Sequence, residues 1–142
     1  MQTDLAHSIK NTPLGIEADA ILRSCVHCGF CSATCPTYQH LGDELDSPRG
    51  RIYLIKQMLE GNEVTTKTQT HLDRCLTCRA CETTCPSGVK YGRLVAIGRE
   101  YMDEKVPRSF LAKLSRKALC AILPYPQRLA PLIKLGLWFK PL

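Results

Sequence analysis

At 142 residues, the chain has the length of one domain, or of a small domain with extensions. Its net charge of +6 is uneven, because residues 1–106 hold 12 lysines and arginines against 13 acidic residues, whereas residues 107–142 hold seven basic residues and no acidic one. A basic excess confined to one end gives little support to a nucleic-acid-binding protein, so we expect no nucleic-acid partner.

The N-terminus lacks the features of a secretory signal, since MQTDLAHSIKNTPLGIEADA has neither a basic start nor a continuous apolar stretch. The longest apolar run in the chain, Ala118 to Leu123, is six residues, whereas a membrane-spanning helix needs ~20. We therefore expect a cytoplasmic protein, either free or bound peripherally to the cytoplasmic face of the inner membrane.

Composition and pattern divide the chain into an N-terminal extension (1–15), a cysteine-rich domain (16–106) and a basic tail (107–142). In the central domain Ser47 is a candidate N-cap, Pro48 suits the first helical position and Gly61 is a natural stop. The predicted helices cover residues 16–24, from 48 to the stop at 61, from 65 or 66 to 74, and 91–104. No alternating β-branched run predicts a strand, so the expected fold class is mostly α.

The tail combines basic and apolar residues. Prolines at positions 107, 124, 126, 131 and 141 predict that it is broken into short pieces. The first piece, from Phe110 to Ile122, has the pattern of a short basic amphipathic helix. Docking against a partner protein, adsorption to anionic lipid and disorder all remain open for the tail. We expect Cys120, the one cysteine outside the motifs, to be a small buried apolar residue.

Eight of the nine cysteines belong to two copies of one pattern, CVHCGFCSATCP starting at Cys25 and CLTCRACETTCP starting at Cys75. Disulfides fit poorly, because the expected compartment is reducing and the bridges would close only short loops. Two four-cysteine zinc sites could use all eight thiols, so a zinc-stabilised interaction module is an alternative. Zinc does not, however, require the third spacing of each run, three residues before the fourth cysteine, or the proline that follows that cysteine.

A cubane cluster does account for these features, because C-x2-C-x2-C-x3-C-P is the run associated with [4Fe–4S] binding. In this pattern the first three cysteines of a run bind one cluster, and the fourth binds the other. The predicted ligands of the first cluster are Cys25, Cys28, Cys31 and Cys85. The predicted ligands of the second cluster are Cys75, Cys78, Cys81 and Cys35. Such interleaving would couple metal binding to folding and place two one-electron centres close together.

Several neighbours of the motifs are weaker candidates for a role. Gly29 would let the backbone approach the first cluster without a side chain in the way. Basic residues that could offset cluster charge, or be ordinary surface residues, flank the second motif: Arg74, Arg79, Lys90 and Arg93. The histidines at positions 27, 40 and 71 are not expected to be ligands, because no cysteine is missing. We find no catalytic dyad, nucleotide-binding loop or flavin fingerprint, so a substrate site is expected on partners.

The stretch from Ile21 to Glu104 resembles the N-terminal half of the iron–sulfur subunit of bacterial glycolate oxidase (glycolate dehydrogenase). The residues that carry the resemblance are ILRSCVHCGFCSATCPTYQHLGDELDSPRGRIYLIKQMLEGNEVT and HLDRCLTCRACETTCPSGVKYGRLVAIGRE. It implies an α-helical ferredoxin fold, with the eight cysteines above as ligands. The family continues into a second cysteine-rich half with paired-cysteine motifs, which this sequence lacks.

The resemblance also implies a function. The chain would be the non-catalytic electron-transfer subunit of an oxidoreductase, relaying electrons from FAD-binding partner subunits through two [4Fe–4S] clusters to a quinone or another membrane acceptor. Equivalent subunits of lactate, glycerol 3-phosphate and heterodisulfide oxidoreductases are the alternatives within this class.

Overall fold

The computed structural model describes residues 1–138, and these residues are mostly helical with no β-strand among them, which confirms the expected fold class. Two 3₁₀ turns cover Phe30–Ser32 and Glu44–Asp46. The α-helices are α1 (His7–Lys10), α2 (Pro13–Ser24), α3 (Pro36–Leu41), α4 (Pro48–Leu59), α5 (Thr66–Asp73), α6 (Ala80–Thr83), α7 (Tyr91–Lys105), α8 (Phe110–Ile122) and α9 (Pro126–Trp138). None of these described helices combines the length and apolar character needed to cross a bilayer.

Side-chain caps explain where the central helices begin. The Ser47 hydroxyl accepts a hydrogen bond from the Gly50 amide at 2.9 Å, so α4 starts at the predicted residue. Thr65 caps α5 in the same way. Helix α2 starts three residues earlier than predicted, because Thr12 accepts a hydrogen bond from the Gly15 amide at 3.0 Å and provides the cap.

The core lies between α7 and the helices α2, α4 and α5 that pack against it. Leu22, Ile55 and Leu94 are fully buried there. Gly98 of α7 allows the close approach of α4, since a Cβ at this position would lie 2.7 Å from Cγ1 of Ile55. Burial of Leu22 on α2 and of Leu72 on α5 fixes these two helices, and therefore fixes the start of the cysteine-rich loop that follows each of them.

The first 15 residues belong to the same compact unit as residues 16–106. Leu5 and Ile9 are buried in the core, and the Ala6 amide donates a hydrogen bond to the Leu59 carbonyl at 2.8 Å. The segment that the sequence sets apart as an extension therefore packs against the end of α4. Leu5 and Ile9 have the i, i+4 spacing of one helix face, but two apolar residues are too few to predict this packing from pattern alone.

A second unit begins at Pro107 and contains α8 and α9. The prediction that proline breaks this tail into short pieces is wrong at Pro131, which lies inside α9. An internal proline removes one backbone hydrogen bond and bends a helix without necessarily ending it. The prediction that Cys120 is buried is also wrong, because α8 packs into no core and Cys120 is exposed. The expectations for residues 139–142, including Pro141, lie outside the described residues.

Candidate iron–sulfur centre

The two cysteine motifs fold into loops with the same backbone. The Cys25 amide donates to the Leu22 carbonyl at 3.2 Å, and fifty residues later the Cys75 amide donates to the Leu72 carbonyl at 3.3 Å. The matching hydrogen bonds recur at the other end, where the amides of the fourth cysteines, at positions 35 and 85, bond the carbonyls three residues earlier. The sequence repeat is therefore a structural repeat.

Each loop uses two residues in the left-handed region at equivalent positions. His27 and Thr77 have φ values of 57° and 56°, and Gly29 and Arg79 have φ values of 88° and 61°. Only Gly29 adopts this conformation without steric cost. Left-handed residues within a turn point successive backbone N–H groups toward one side, which makes a concavity suited to a negatively charged group.

The loops surround two cavities. The first cavity is lined by the four cysteines predicted to bind the first cluster: Cys25, Cys28, Cys31 and Cys85. The second cavity is lined by the four cysteines predicted to bind the second cluster: Cys35, Cys75, Cys78 and Cys81. Cys81 and Tyr91 line both cavities, so the two cavities are neighbours. The first cavity thus receives three cysteines from the first loop and two from the second, and the second cavity receives three from the second loop and one from the first.

Burial and proximity disfavour thiolates in these cavities when no metal is present. Burial, followed by the neighbouring cysteines, raises the pKa of the Cys31 and Cys81 thiols, that of Cys81 to about 12. Burial also raises the pKa of the Cys25 thiol. Thiolates held so close together need a cation to compensate their charge. Four thiols around each cavity are the donor set of a [4Fe–4S] cluster, and iron would supply that charge.

His27 adds a second sign that the first cavity fits such a group. The residue lines the first cavity and a neighbouring one that includes Met1 and Tyr53, and its Nε2 atom is buried without a hydrogen-bond partner in the protein. A buried polar atom is normally paired. A thiolate or sulfide of a cluster in the first cavity would be such a partner. His27 is therefore placed as a neighbour of the first cavity and not as one of its four thiol ligands.

Sequence reasoning missed the charged network beside the second cavity. Asp46 and Arg51 are both buried and form an ion pair of 3.1 Å between Oδ1 and Nη2. Arg74 donates to the other carboxylate oxygen at 2.9 Å. Burial alone would raise the pKa of Asp46, but the contacts with His71 and Arg74 outweigh it and hold that pKa below its usual value. The available signal was that Arg51 lies in phase with the buried residues of α4.

Two residues of α7 were also missed. The Arg99 guanidinium donates to the carbonyls of Leu72 and Cys75, at 2.8 and 2.7 Å from Nη2, and to the hydroxyl of Thr77 at 3.0 Å from Nη1. The Tyr91 hydroxyl donates to Sγ of Cys75 at 3.5 Å. Helix α7 therefore holds the start of the second loop in place by polar contacts as well as by packing.

The basic residues that flank the second motif are engaged in ion pairs in three cases. Arg74 pairs with buried Asp46. The other two pairs lie at more exposed positions, Arg79 with Glu82 and Arg93 with Glu17. Lys90 and His40 are exposed. Of the four basic residues, Arg79 also lines the second cavity.

Comparison with known proteins agrees with this geometry. Residues 21–89 match the family described as the 4Fe-4S dicluster domain. The chain is 60% identical over 141 residues to the glycolate oxidase iron-sulfur subunit of Escherichia coli (strain K12), covering 99% of this chain and 35% of that protein. It is 40% identical over 117 residues to the probable glycolate oxidase iron-sulfur subunit of Bacillus subtilis (strain 168), covering 80% of this chain and 26% of that protein.

A shorter match is 26% identical over 92 residues to the succinate dehydrogenase iron-sulfur subunit of Paracoccus denitrificans, covering 60% of this chain and 36% of that protein. No solved structure gave a significant match. The chain spans about a third of the length of the E. coli relative. Residues 21–89 match the 4Fe-4S dicluster domain family, and the chain is similar along nearly its whole length to the glycolate oxidase iron-sulfur subunit of E. coli.

Proposed function

We propose that the chain is the electron-transfer part of a flavoprotein glycolate oxidase and holds two [4Fe–4S] clusters. In this proposal the first cluster is bound by Cys25, Cys28, Cys31 and Cys85. The second cluster is bound by Cys75, Cys78, Cys81 and Cys35. The observation that carries the proposal is the pair of neighbouring cavities, each lined by three cysteines of one loop and by at least one cysteine of the other.

A [4Fe–4S] cluster takes up and releases single electrons, which is the chemistry required between a flavin and a membrane carrier. The protein contributes a fixed separation, since Cys81 and Tyr91 line both cavities. It also leaves one thiol of each set exposed, Cys28 at the first cavity and Cys78 at the second. These two exposed edges are the natural points at which a donor and an acceptor would approach.

The oxidation of substrate is assigned to partners, because this sequence offers no flavin or nucleotide fingerprint. The names of the E. coli and B. subtilis relatives support glycolate as the substrate and oxidoreductase subunits as the partners. In this proposal FAD-binding subunits supply the electrons, and a quinone or another membrane acceptor removes them. The chain would then work in the cytoplasm, or peripherally at the cytoplasmic face of the inner membrane.

The first test is anaerobic visible absorption of the complex purified through this chain. Glycolate, D-lactate and glycerol 3-phosphate are added separately, and dithionite is added last. We expect a brown protein that is bleached by glycolate, with a simultaneous EPR signal from reduced clusters. Bleaching by another substrate would reassign the complex to a lactate or glycerol 3-phosphate oxidoreductase.

Two other outcomes contradict larger parts of the proposal. Bleaching by dithionite alone would support the clusters but would oppose the assignment of a substrate to the purified complex. A colourless protein containing zinc would favour a zinc-stabilised interaction module and remove the redox function altogether.

A further inference from the structure

A buried positive charge lies beside the second cavity. The Arg51 side chain is 1% exposed, and its Nη1 atom lies 3.0 Å from the Thr37 hydroxyl and 4.0 Å from Sγ of Cys35. The Thr37 hydroxyl is itself 3.2 Å from the same sulfur. An arginine keeps its charge at every physiological pH, so this edge of the cavity is permanently positive.

Nearby acids offset part of this charge. Arg51 and Arg74 contact the carboxylate of Asp46, at 3.1 and 2.9 Å, and a carboxylate oxygen of Asp43 lies within 4.8 Å of Asp46. The Arg51 guanidinium nevertheless places its Nη1 atom 4.0 Å from the Cys35 sulfur. Because Arg51 is buried, solvent and salt screen its charge only weakly.

A second donor faces the same cavity from α7. The Tyr91 hydroxyl is 3.5 Å from Sγ of Cys75, and the ring is 4% exposed. A metal-bound thiolate accepts hydrogen bonds but cannot donate one, so the phenol must be the donor when Cys75 is a ligand. Two of the four thiols of the second cavity, Cys35 and Cys75, therefore have a hydrogen-bond donor within reach.

The first cavity has no matching buried cation among its described lining residues. Apart from Arg51, each cavity is lined by one arginine with an acidic partner, Arg49 with Glu44 at the first and Arg79 with Glu82 at the second. These two arginines are partly or largely exposed and roughly balance each other. The first cavity otherwise offers one imidazole nitrogen, Nε2 of His27. Among the lining residues, the difference between the two sites is thus the buried charge of Arg51 and the hydroxyl of Tyr91. Near the first cavity, the N-terminal ammonium donates to the Cys25 carbonyl at 2.9 Å and lies at the backbone, not at a sulfur.

We propose that Arg51 and Tyr91 make the second cavity the site of the higher-potential cluster, so that an electron entering the chain comes to rest there. This rests on the proposed function, in which both cavities hold [4Fe–4S] clusters. Reduction adds one negative charge to a cluster, and a cation or donor beside its sulfurs stabilises the reduced form more than the oxidised form. The two residues act through ligand sulfurs and are potential-setting residues, not ligands.

The test is an EPR-monitored anaerobic redox titration of the iron-loaded chain. We expect two midpoint potentials in the wild type. Arg51→Met should lower the higher one and shift the electron's distribution between the two clusters by about tenfold or more toward the first cluster, as expected for loss of a charged donor. Tyr91→Phe, which keeps the ring and removes only the hydroxyl, should lower the same midpoint by less.

The controls identify the cluster and separate a redox role from a structural one. Arg49→Met, at the first cavity, should leave the higher midpoint unchanged. Cys35→Ser should remove the higher-potential species and keep the other. The inference is overturned if the two midpoints coincide, if Cys35→Ser removes the lower-potential species, or if Tyr91→Phe moves neither midpoint. A wild-type chain that binds no iron would overturn the proposed function together with this inference.

Discussion

The two cysteine loops have one backbone and two different environments. In both loops the first and fourth cysteines make the same amide–carbonyl hydrogen bonds, and the left-handed residues occupy equivalent positions. Around the first cavity lie apolar side chains such as Ile52 and Val89, whereas Arg51 and Tyr91 approach the sulfurs of the second. The comparison teaches that a repeated motif can fix the ligands while the helices outside it set what each site does.

The largest effect is expected from paired removal of cysteines, which tests whether the loops share their ligands. If the ligand sets cross between loops, Cys28→Ser with Cys85→Ser damages one cluster and should retain about four of the eight irons per chain. Cys28→Ser with Cys35→Ser damages both clusters and should retain almost none. Iron and acid-labile sulfide analysis of the purified variants measures this directly.

Cys120→Ser is the matched control, and it should keep the full iron content because Cys120 lies in α8 outside both cavities. If the loops instead held one cluster each by themselves, the results of the two double variants would be exchanged. That result would show that the two loops do not share their ligands.

Next in size is the loss of the buried acid beside the second cavity. Asp46→Asn leaves Arg51 buried without a full counter-charge, and we expect the free energy of unfolding to fall by about 3–5 kcal/mol. Glu44→Gln, in the more exposed pair near the first cavity, should cost about 0–1 kcal/mol. Denaturant unfolding of the two variants measures the difference, and equal losses would contradict the asymmetry between the sites.

The pH dependence of the Asp46→Asn effect has a definite sign. Because the folded-state pKa of Asp46 lies below its usual value near ~3.9, its contribution is complete above that value and is lost as the pH falls through the folded-state pKa. The stability difference between wild type and variant should therefore not shrink between about pH 8 and about pH 5. A difference that shrinks across this window would show that the pKa of Asp46 is raised.

A smaller effect is expected at Arg99, which holds the start of the second loop. Arg99→Met removes hydrogen bonds to the Leu72 and Cys75 carbonyls, so the free energy of unfolding should fall by about 2–4 kcal/mol. The second cluster should also be lost before the first during slow anaerobic treatment with a chelator, as followed by EPR. Arg93→Met removes an exposed ion pair on the same helix and should change neither property. Equal loss of both clusters in Arg99→Met would count against a loop-specific role.

The smallest effect compares the fifth residue of each motif. Gly29→Ala introduces a side chain at a φ of 88°, with its Cβ 3.1 Å from Nη1 of Arg49, and should destabilise the chain by about 1 kcal/mol. Arg79→Gly relieves the equivalent strain at a φ of 61° but loses the pair with Glu82, so little net change is expected. The melting temperatures of the two variants measure these effects. An unchanged melting temperature in Gly29→Ala would contradict the left-handed conformation that the two loops share at this position.

Local patterns predicted much of this molecule, because caps and cysteine spacing act over a few residues. Ser47 and Thr65 cap the helices as expected, and each cavity is lined by the four cysteines that the spacing groups together, with Cys81 shared between the two. The ligand sets themselves stay a prediction. The burial of Arg51 beside the second cavity could not be predicted from such local patterns. A charge on a helix is normally exposed, and its burial depends on Asp46 and on the carbonyl of His71, which reaches it from a different helix.

The errors have the same origin. Cys120 was expected to be buried because its neighbours are apolar, but an apolar face is buried only where another element covers it. Arg99 reads as an ordinary polar position of α7 until the carbonyls of α5 and the second loop are brought against it. Such contacts join residues more than twenty positions apart, and a single sequence does not specify them.

The division of each cavity between the two loops also constrains how the protein can be made. On the ribosome, the second cavity gains its last thiol when residue 81 emerges, and the first gains its last thiol only four residues later, with Cys85. A nascent chain that has exposed only the first motif offers neither complete set. Under the proposed ligand assignment, metal insertion would have to wait until the second motif has emerged from the ribosome.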